Sequence, residues 1–270
     1  MRADPALLAS AVAVVRKAAV EVMSRYKSQQ TVWDKDADGA TTRSAENPLT
    51  EADLAADRVL REGLLAVLPE AGWLSEETAD DPSRLDRELV WIVDPIDGTR
   101  EYVEGVDQFA ISVALVEDGV PSLGILLNPA TNILLTALRG EGIQQDGEPI
   151  HPRHVRAEPV LLASRTEMKR GEFAPFEGTM EIRAVGSTAW KLGLAACGEG
   201  DAYFTRAPRN EWDIAAGVLL CREAGLTVTD LLGVEQRFNR PDPLLKGVVA
   251  AIPSVHSALM AQIHEEGLLL

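Results

Sequence analysis

The sequence predicts a mixed α+β and α/β fold, and three observations carry that expectation. Two helices open the chain, hairpin-linked strands fill residues 109–138, and from Val160 onward short apolar runs alternate with helical stretches. The change of character falls near Pro152 to Pro159, dividing the chain into an N-terminal α+β half over 1–152 and a C-terminal α/β half over 153–270. A length of 270 residues suits one large domain or two closely packed halves, either with a substantial core.

Composition narrows the function classes. Hydrophobic residues at 46% and charged residues at 25% match ordinary globular proteins. A formal charge of −16 argues against nucleic-acid polymers and acidic membranes, which call for basic surface. An acidic protein handling an anionic substrate needs local positive charge, and a bound metal would supply it. Cys197 and Cys221 form neither a CxxC pair nor a disulfide framework, so reduced thiols in a cytoplasmic setting are expected.

In chain order, Leu8, Val12, Val15, Ala19 and Val22 recur at helical spacing. Arg16-Lys17 interrupts the apolar run and no cleavage site follows, so this is a helix, capped by Asp4 with Pro5 in its first turn, rather than a signal peptide. No run is long enough to span a membrane. Residues 31–47 read as a polar loop whose Asp34, Asp36, Asp38 and Gly39 imitate the start of a calcium-binding loop. Position 12 of that loop is Ala45 instead of glutamate, which excludes calcium there. Thr50 then caps a second helix reaching about Leu68, with Asp53 at its third position and a Leu49 to Leu54 staple across its start. Glu76-Glu77 is either a solvated pair or part of a carboxylate cluster.

The stretch from Trp91 to Thr99 is the most informative. Leu89 to Val93 reads as a buried strand, and in open α/β sheets ligands gather at the carboxyl ends of strands. Asp94 and Asp97 emerge there, Pro95 fixes one φ, Gly98 permits a tight turn, and the Ile96 carbonyl is left free to face outward. Two carboxylates so close resist joint ionisation unless a cation lies between them, and oxygen ligands favour Mg²⁺ or a similar hard ion. Asp-Gly is also a common turn dipeptide, so local sequence alone leaves a plain turn open.

Strands are expected next at Phe109 to Leu115, Ser122 to Asn128 and Ile133 to Leu138, with Glu117-Asp118-Gly119 turning the first into the second. In the later half they are expected at Val160 to Ala163, Ile182 to Val185, Asp201 to Phe204, Leu226 to Thr229 and Val248 to Ile252. Gly186-Ser187-Thr188 opens a helix to about Cys197 whose first amides offer an anion site, with Lys191 one turn in. A further helix begins near Asn210, where Asp213 is a cap or a metal ligand.

Three segments together resemble a known family. Ser75-Glu76-Glu77, Trp91 through Thr99 and Trp212-Asp213-Ile214-Ala215-Ala216-Gly217 are similar, in order and spacing, to the inositol monophosphatase superfamily of magnesium-dependent, lithium-sensitive phosphatases, over about Arg43 to Asp230. The resemblance implies an α-β-α-β-α layered sandwich, a homodimer, and two or three Mg²⁺ ions. By the same resemblance Glu76, Asp94 and the Ile96 carbonyl hold one ion and Asp94, Asp97 and Asp213 a second, with Glu76 facing a third, weaker one. Asp53 and Thr99 would orient or deprotonate the attacking water, while the amides of Gly98 and Thr99 hold phosphate oxygens. Attack would be direct and in line, without a phospho-enzyme. Haloacid-dehalogenase-like phosphatases also place Asp-Gly-Thr after a strand, but their aspartates lie two residues apart rather than the three that separate Asp94 and Asp97.

Within the superfamily, Arg43 to Pro48, Asp97 to Tyr102 and Gly186 to Lys191 look most like the 3'(2'),5'-bisphosphate nucleotidases. Inositol phosphatases usually carry an acid seven residues before the second-motif aspartate, and Arg206 stands there instead. With Ser187, Lys191 and Arg209 it forms the expected substrate-binding set for a second phosphate, unless these cations are merely solvated. Arg43 replaces a lysine common in that branch. The expectation is a phosphatase removing the 3'-phosphate of 3'-phosphoadenosine 5'-phosphate. An inositol-1-phosphatase or broad sugar-phosphate phosphatase is the alternative, and a non-catalytic metal- or nucleotide-binding regulator the alternative from another class.

Overall fold

The computed structural model describes residues 3–29, 31–35, 48–150 and 156–268. The expected loop through Asp36, Asp38 and Gly39 and the segment Arg43 to Asn47 lie outside the described residues, as does the first part of the expected boundary at Pro152.

Helix α1 (Pro5–Arg25) starts where Asp4 accepts the Leu7 amide at 2.8 Å. Its buried stripe is Leu7, Ala11, Val14, Val15, Ala18 and Val22, while Leu8, Val12 and Ala19 are only partly buried. The inward face is therefore turned by one residue from the expected one, because alanines, weak hydrophobic signals in sequence, supply the close contact. Strands β1 (Val32–Asp34) and β2 (Pro48–Thr50) pair antiparallel and lead into α2 (Glu51–Val67). Thr50 and Asp53 make the expected capping box. The expected staple is not part of the core, since Leu54 is 45% exposed.

Strands β3 (Gly72–Ser75), β4 (Leu89–Asp97), β5 (Ala110–Glu117), β6 (Val120–Asn128), β7 (Ile133–Leu138), β8 (Ile143–Gln145) and β9 (Glu148–Pro149) form one seven-stranded sheet in sequence order. Only β3 and β4 are parallel; the rest are hairpin partners. Between β5 and β6, Asp118 and Gly119 both have positive φ, which matches the right-handed strand twist. Helix α3 (Thr99–Glu104) continues directly from the end of β4.

The later residues supply β10 (Val160–Ala163), α4 (Arg165–Lys169), β11 (Glu181–Ala184), α5 (Thr188–Cys197), β12 (Ala202–Thr205), β13 (Arg209–Asn210) and α6 (Glu211–Glu223). They end in β14 (Thr227–Thr229), β15 (Leu244–Leu245), β16 (Val248–Ala251) and α7 (Pro253–Glu265). The main sheet here runs β11-β10-β12-β16-β14; β10 is parallel to both its neighbours, and β16 is antiparallel to both of its own. The five longer strands fall within about a residue of expectation.

Three apolar clusters bind these parts into layers. One joins α1 and α2 to the outer face of the first sheet, the largest sets α5 and α6 between the two sheets, and the third packs α7 with Phe173 and Phe176 on the far face of the second sheet. The result is the α-β-α-β-α sandwich. Strand β4 reads as a continuous apolar run because helices cover both its faces. The central layer is thin enough for a close helix crossing at Gly217, where an added Cβ would lie 2.5 Å from Leu192 Cβ.

Candidate active site

The site forms where β4 meets α3, α5 and α6. Pairing of β4 with β5 is irregular between Asp94 and Asp97, so the strand twists there and turns both carboxylates toward the same space. The Ile96 amide donates to Asp94 Oδ1 at 2.9 Å, fixing that carboxylate. Gly98 has φ +98°, and a Cβ would lie 3.1 Å from the Gln108 carbonyl oxygen, so both conformation and space require glycine.

Asp94, Asp97 and Asp213 each bring a carboxylate oxygen into a group whose members all lie within 4.8 Å of one another. Asp213 reaches it from the first turn of α6, where its Oδ2 also accepts the Asn210 amide at 3.0 Å. Glu76, just beyond β3, lines the same cleft of about 530 Å³. Burial, then repulsion from neighbouring acids, pushes Asp94 and Asp213 well above the usual carboxylate range; burial raises Asp97 as well. An all-oxygen donor set that repels itself so strongly fits a hard divalent cation, whose charge would reverse those shifts.

Beside this cluster Asp53 and Thr99 are joined. Asp53 is buried, its Oδ2 accepting from the Thr50 amide at 2.8 Å and the Thr50 hydroxyl at 2.5 Å, while the Thr99 hydroxyl lies 3.1 Å from its Oδ1 and 2.9 Å from the Ile96 carbonyl oxygen. Burial pushes Asp53 up to about 6, against the opposing hydrogen bonds from Thr50. Its capping and site-facing roles use different oxygens, so they coexist.

The first turn of α5 departs from expectation. The Ser187 hydroxyl donates to Asp97 Oδ2, and the Ala189 amide donates to the same oxygen at 2.5 Å. The anion at this helix start is thus the chain's own Asp97, with Ser187 held at positive φ to serve it. Lys191 is no solvated cation: it is 2% exposed, and its Nζ donates to the Ser187 carbonyl at 2.7 Å and the Val185 carbonyl at 3.3 Å. Burial lowers it to about 8. Arg209 lines the cleft, 3.6 Å from Glu167 Oε1. Arg206 is not among the lining residues; its Nε lies 3.9 Å from Glu172 Oε2, and the side chain is 39% exposed.

Sequence reasoning passed over several lining residues. Arg165, Lys169 and Arg170 on or just after α4, and Arg100 on α3, make the cleft lining rich in cations, interspersed with Glu101, Glu104 and Glu167. The α4 residues were signalled by the density of bases in the segment 165–170, and Arg100 falls inside the Asp97 to Tyr102 stretch already likened to the nucleotidases. Lys35, at the end of β1, was also missed: its Nζ donates to Glu76 Oε1 at 2.7 Å and Glu77 Oε1 at 2.6 Å. Burial opposes the Lys35 charge, but the two carboxylates outweigh it and hold its pKa above the usual lysine range. Burial pushes Glu77 up to about 7.

Five alternating layers with an oxygen-lined cation cleft at a strand-to-helix turn define the architectural class. The chain belongs to the inositol monophosphatase family, which it matches over residues 5–268. It is 29% identical to the Nus factor SuhB of Escherichia coli K12 over 270 residues, 96% of each chain. It is 31% identical to the 3'(2'),5'-bisphosphate nucleotidase CysQ of the same organism over 199 residues, 71% of this chain and 80% of that one. The Thermotoga maritima IMPase superposes with a TM-score of 0.80 at 28% identity, covering 94% of this chain and 95% of the other.

Proposed function

We propose that this chain is a Mg²⁺-dependent, lithium-sensitive phosphomonoesterase of small metabolites, acting by direct in-line attack of water, with the 3'-phosphate of 3'-phosphoadenosine 5'-phosphate as its preferred target. The observation that carries the reading is the convergence of Asp94, Asp97 and Asp213 beside the Asp53–Thr99 pair. Glu76, Asp94 and the Ile96 carbonyl would hold one ion, and Asp94, Asp97 and Asp213 another. When bound, the ions neutralise the phosphate dianion, acidify water and stabilise the leaving alkoxide.

The remaining work falls to the chain. With its proton directed to Asp53, the Thr99 hydroxyl presents a lone pair to the attacking water. The water's proton passes to Thr99 as the Thr99 proton passes to Asp53, whose Oδ1 faces that hydroxyl. The amides of Gly98 and Thr99, at the start of α3, hold phosphate oxygens. Neither Asp94 nor Asp97 is assigned as nucleophile: one is fixed by the Ile96 amide, the other by Ser187 and Ala189.

For the second phosphate, the support is the presence of Arg100, Arg165, Lys169 and Arg170 in the cleft lining, together with Arg209. Lys191 contributes through its charge near Asp97, from within the same lining. Similarity to the Thermotoga maritima IMPase across 94% of this chain favours inositol 1-phosphate as a second reading. A non-catalytic metal- or nucleotide-binding regulator is the third reading, and the Escherichia coli relative is named as a Nus factor rather than as a phosphatase. Phosphate release from 3'-phosphoadenosine 5'-phosphate, inositol 1-phosphate and fructose 1,6-bisphosphate, with Mg²⁺ and with added Li⁺, separates them. Preference for inositol 1-phosphate overturns the nucleotidase assignment, and no turnover of any ester favours the regulator. A homodimer, tested by light scattering, and a cytoplasmic setting, in keeping with a sequence of only two cysteines, complete the proposal.

A further inference from the structure

Lys35 is bonded to the acidic cleft in a way that the proposed chemistry does not use. Its ammonium lies 2.7 Å from Glu76 Oε1 and 2.6 Å from Glu77 Oε1, bridging two carboxylates as an inorganic cation would. The lysine side chain is only 19% exposed and that of Glu77 4%. Lys35 follows directly on β1, which pairs with β2, and β2 leads straight into Thr50 and Asp53, so the ammonium extends from the strand pair that carries half of the Asp53–Thr99 pair.

We propose that Lys35 takes the place of a third divalent cation beside Glu76, so that this chain loads two ions and no more. The inference rests on the metal site proposed above. A divalent ion seated on Glu76 Oε1 at the usual oxygen distance of about 2–2.5 Å would lie against the ammonium, which is 2.7 Å from the same oxygen, and like charges that close repel. Glu76 Oε2 remains for the ion shared with Asp94. A tethered ammonium is present at high effective concentration, so it excludes the weakly held ion while the three-aspartate group keeps its own.

The test counts Mn²⁺ ions bound per chain by equilibrium dialysis and elemental analysis on the full chain, first stripped with EDTA. Wild type is expected to saturate at two ions, Lys35→Gln at three, and Lys35→Arg at two, with folding checked by circular dichroism. Three ions in wild type, or two in folded Lys35→Gln, overturns the proposal while leaving the metal site standing. Fewer than two in wild type overturns the site itself and this inference with it. Lys35→Met is a second neutral variant if Lys35→Gln does not fold, and the wild-type count is decisive against the proposal without either.

Discussion

Asp97 shows how one carboxylate is held by a helix and offered to a cleft at once. Its Oδ2 takes hydrogen bonds from Ser187 and the Ala189 amide, while burial among acids keeps its pKa raised. Asp97→Asn retains a carbonyl oxygen for those donors and removes one repelling charge, so the fold should stay intact while turnover is nearly abolished. The check is kcat beside a thermal melt; surviving activity would refute the metal assignment. Asp53 sets the expected pH dependence. Its pKa stands at about 6 without ions and falls when cations bind nearby, so the acid limb of kcat/KM should lie at or below pH 6. Asp53→Asn should cost about 10²–10⁴-fold in kcat and remove that limb from the pH profile. Arg206, paired toward Glu172 outside the cleft lining, separates from the α4 cations: Arg206→Glu should leave KM for the bisphosphate unchanged, whereas Lys169→Glu should raise it.

Among the elements, the contact of α5 with α6 decides whether Asp97 and Asp213 meet. Asp97 is bonded to the first turn of α5, and Asp213 sits in the first turn of α6. The two helices cross at Gly217, whose missing Cβ leaves room for Leu192. Alanine at a helical glycine ordinarily gains about 1 kcal/mol. Here the nearest atom is Leu192 Cβ at 2.5 Å, a stem that moves only with its backbone, and overpacking of that kind costs about 1–3 kcal/mol. Gly217→Ala should therefore lower stability in urea and weaken metal affinity with it. A gain in stability would show that the crossing has slack. The α2 capping box works similarly at the other side of the site, because the carboxylate that orders the helix start also faces Thr99.

For the whole molecule, the buried carboxylates make metal-free stability depend on pH. Asp53 rises from 3.8 to about 6, Glu77 and Glu211 from 4.5 to about 7, all chiefly through burial, and Asp94 and Asp213 rise as well. With folded pKa values above the unfolded ones, the native state binds more protons, so this cluster's contribution is most favourable below about pH 4 and is lost as pH rises toward 7. In EDTA the Tm should accordingly fall from pH 5 to pH 8. Saturating Mg²⁺ should flatten that slope by supplying the opposing charge. A pH-independent Tm in EDTA would mean the carboxylates are not strained together.

Element order, and the expectation of a cation site, were legible in the sequence. Hydrophobic period, caps and turn residues placed the strands and the capping box at Thr50 and Asp53, and an apolar strand ending in Asp94-Pro95-Ile96-Asp97-Gly98-Thr99 announced a cation turn. These signals are local, carried by residues a few positions apart. Which distant groups meet was set by the packing of one element on another. That the α5 amides serve Asp97, that Lys191 turns inward to carbonyls, that Arg206 stands off while Arg165 and Lys169 of α4 join Arg100 and Arg209 in lining the cleft, and that Lys35 reaches Glu76 all depend on contacts between elements. A side chain's local sequence is the same whether it faces solvent, a carbonyl or a carboxylate, and only packing of the layers fixes that choice.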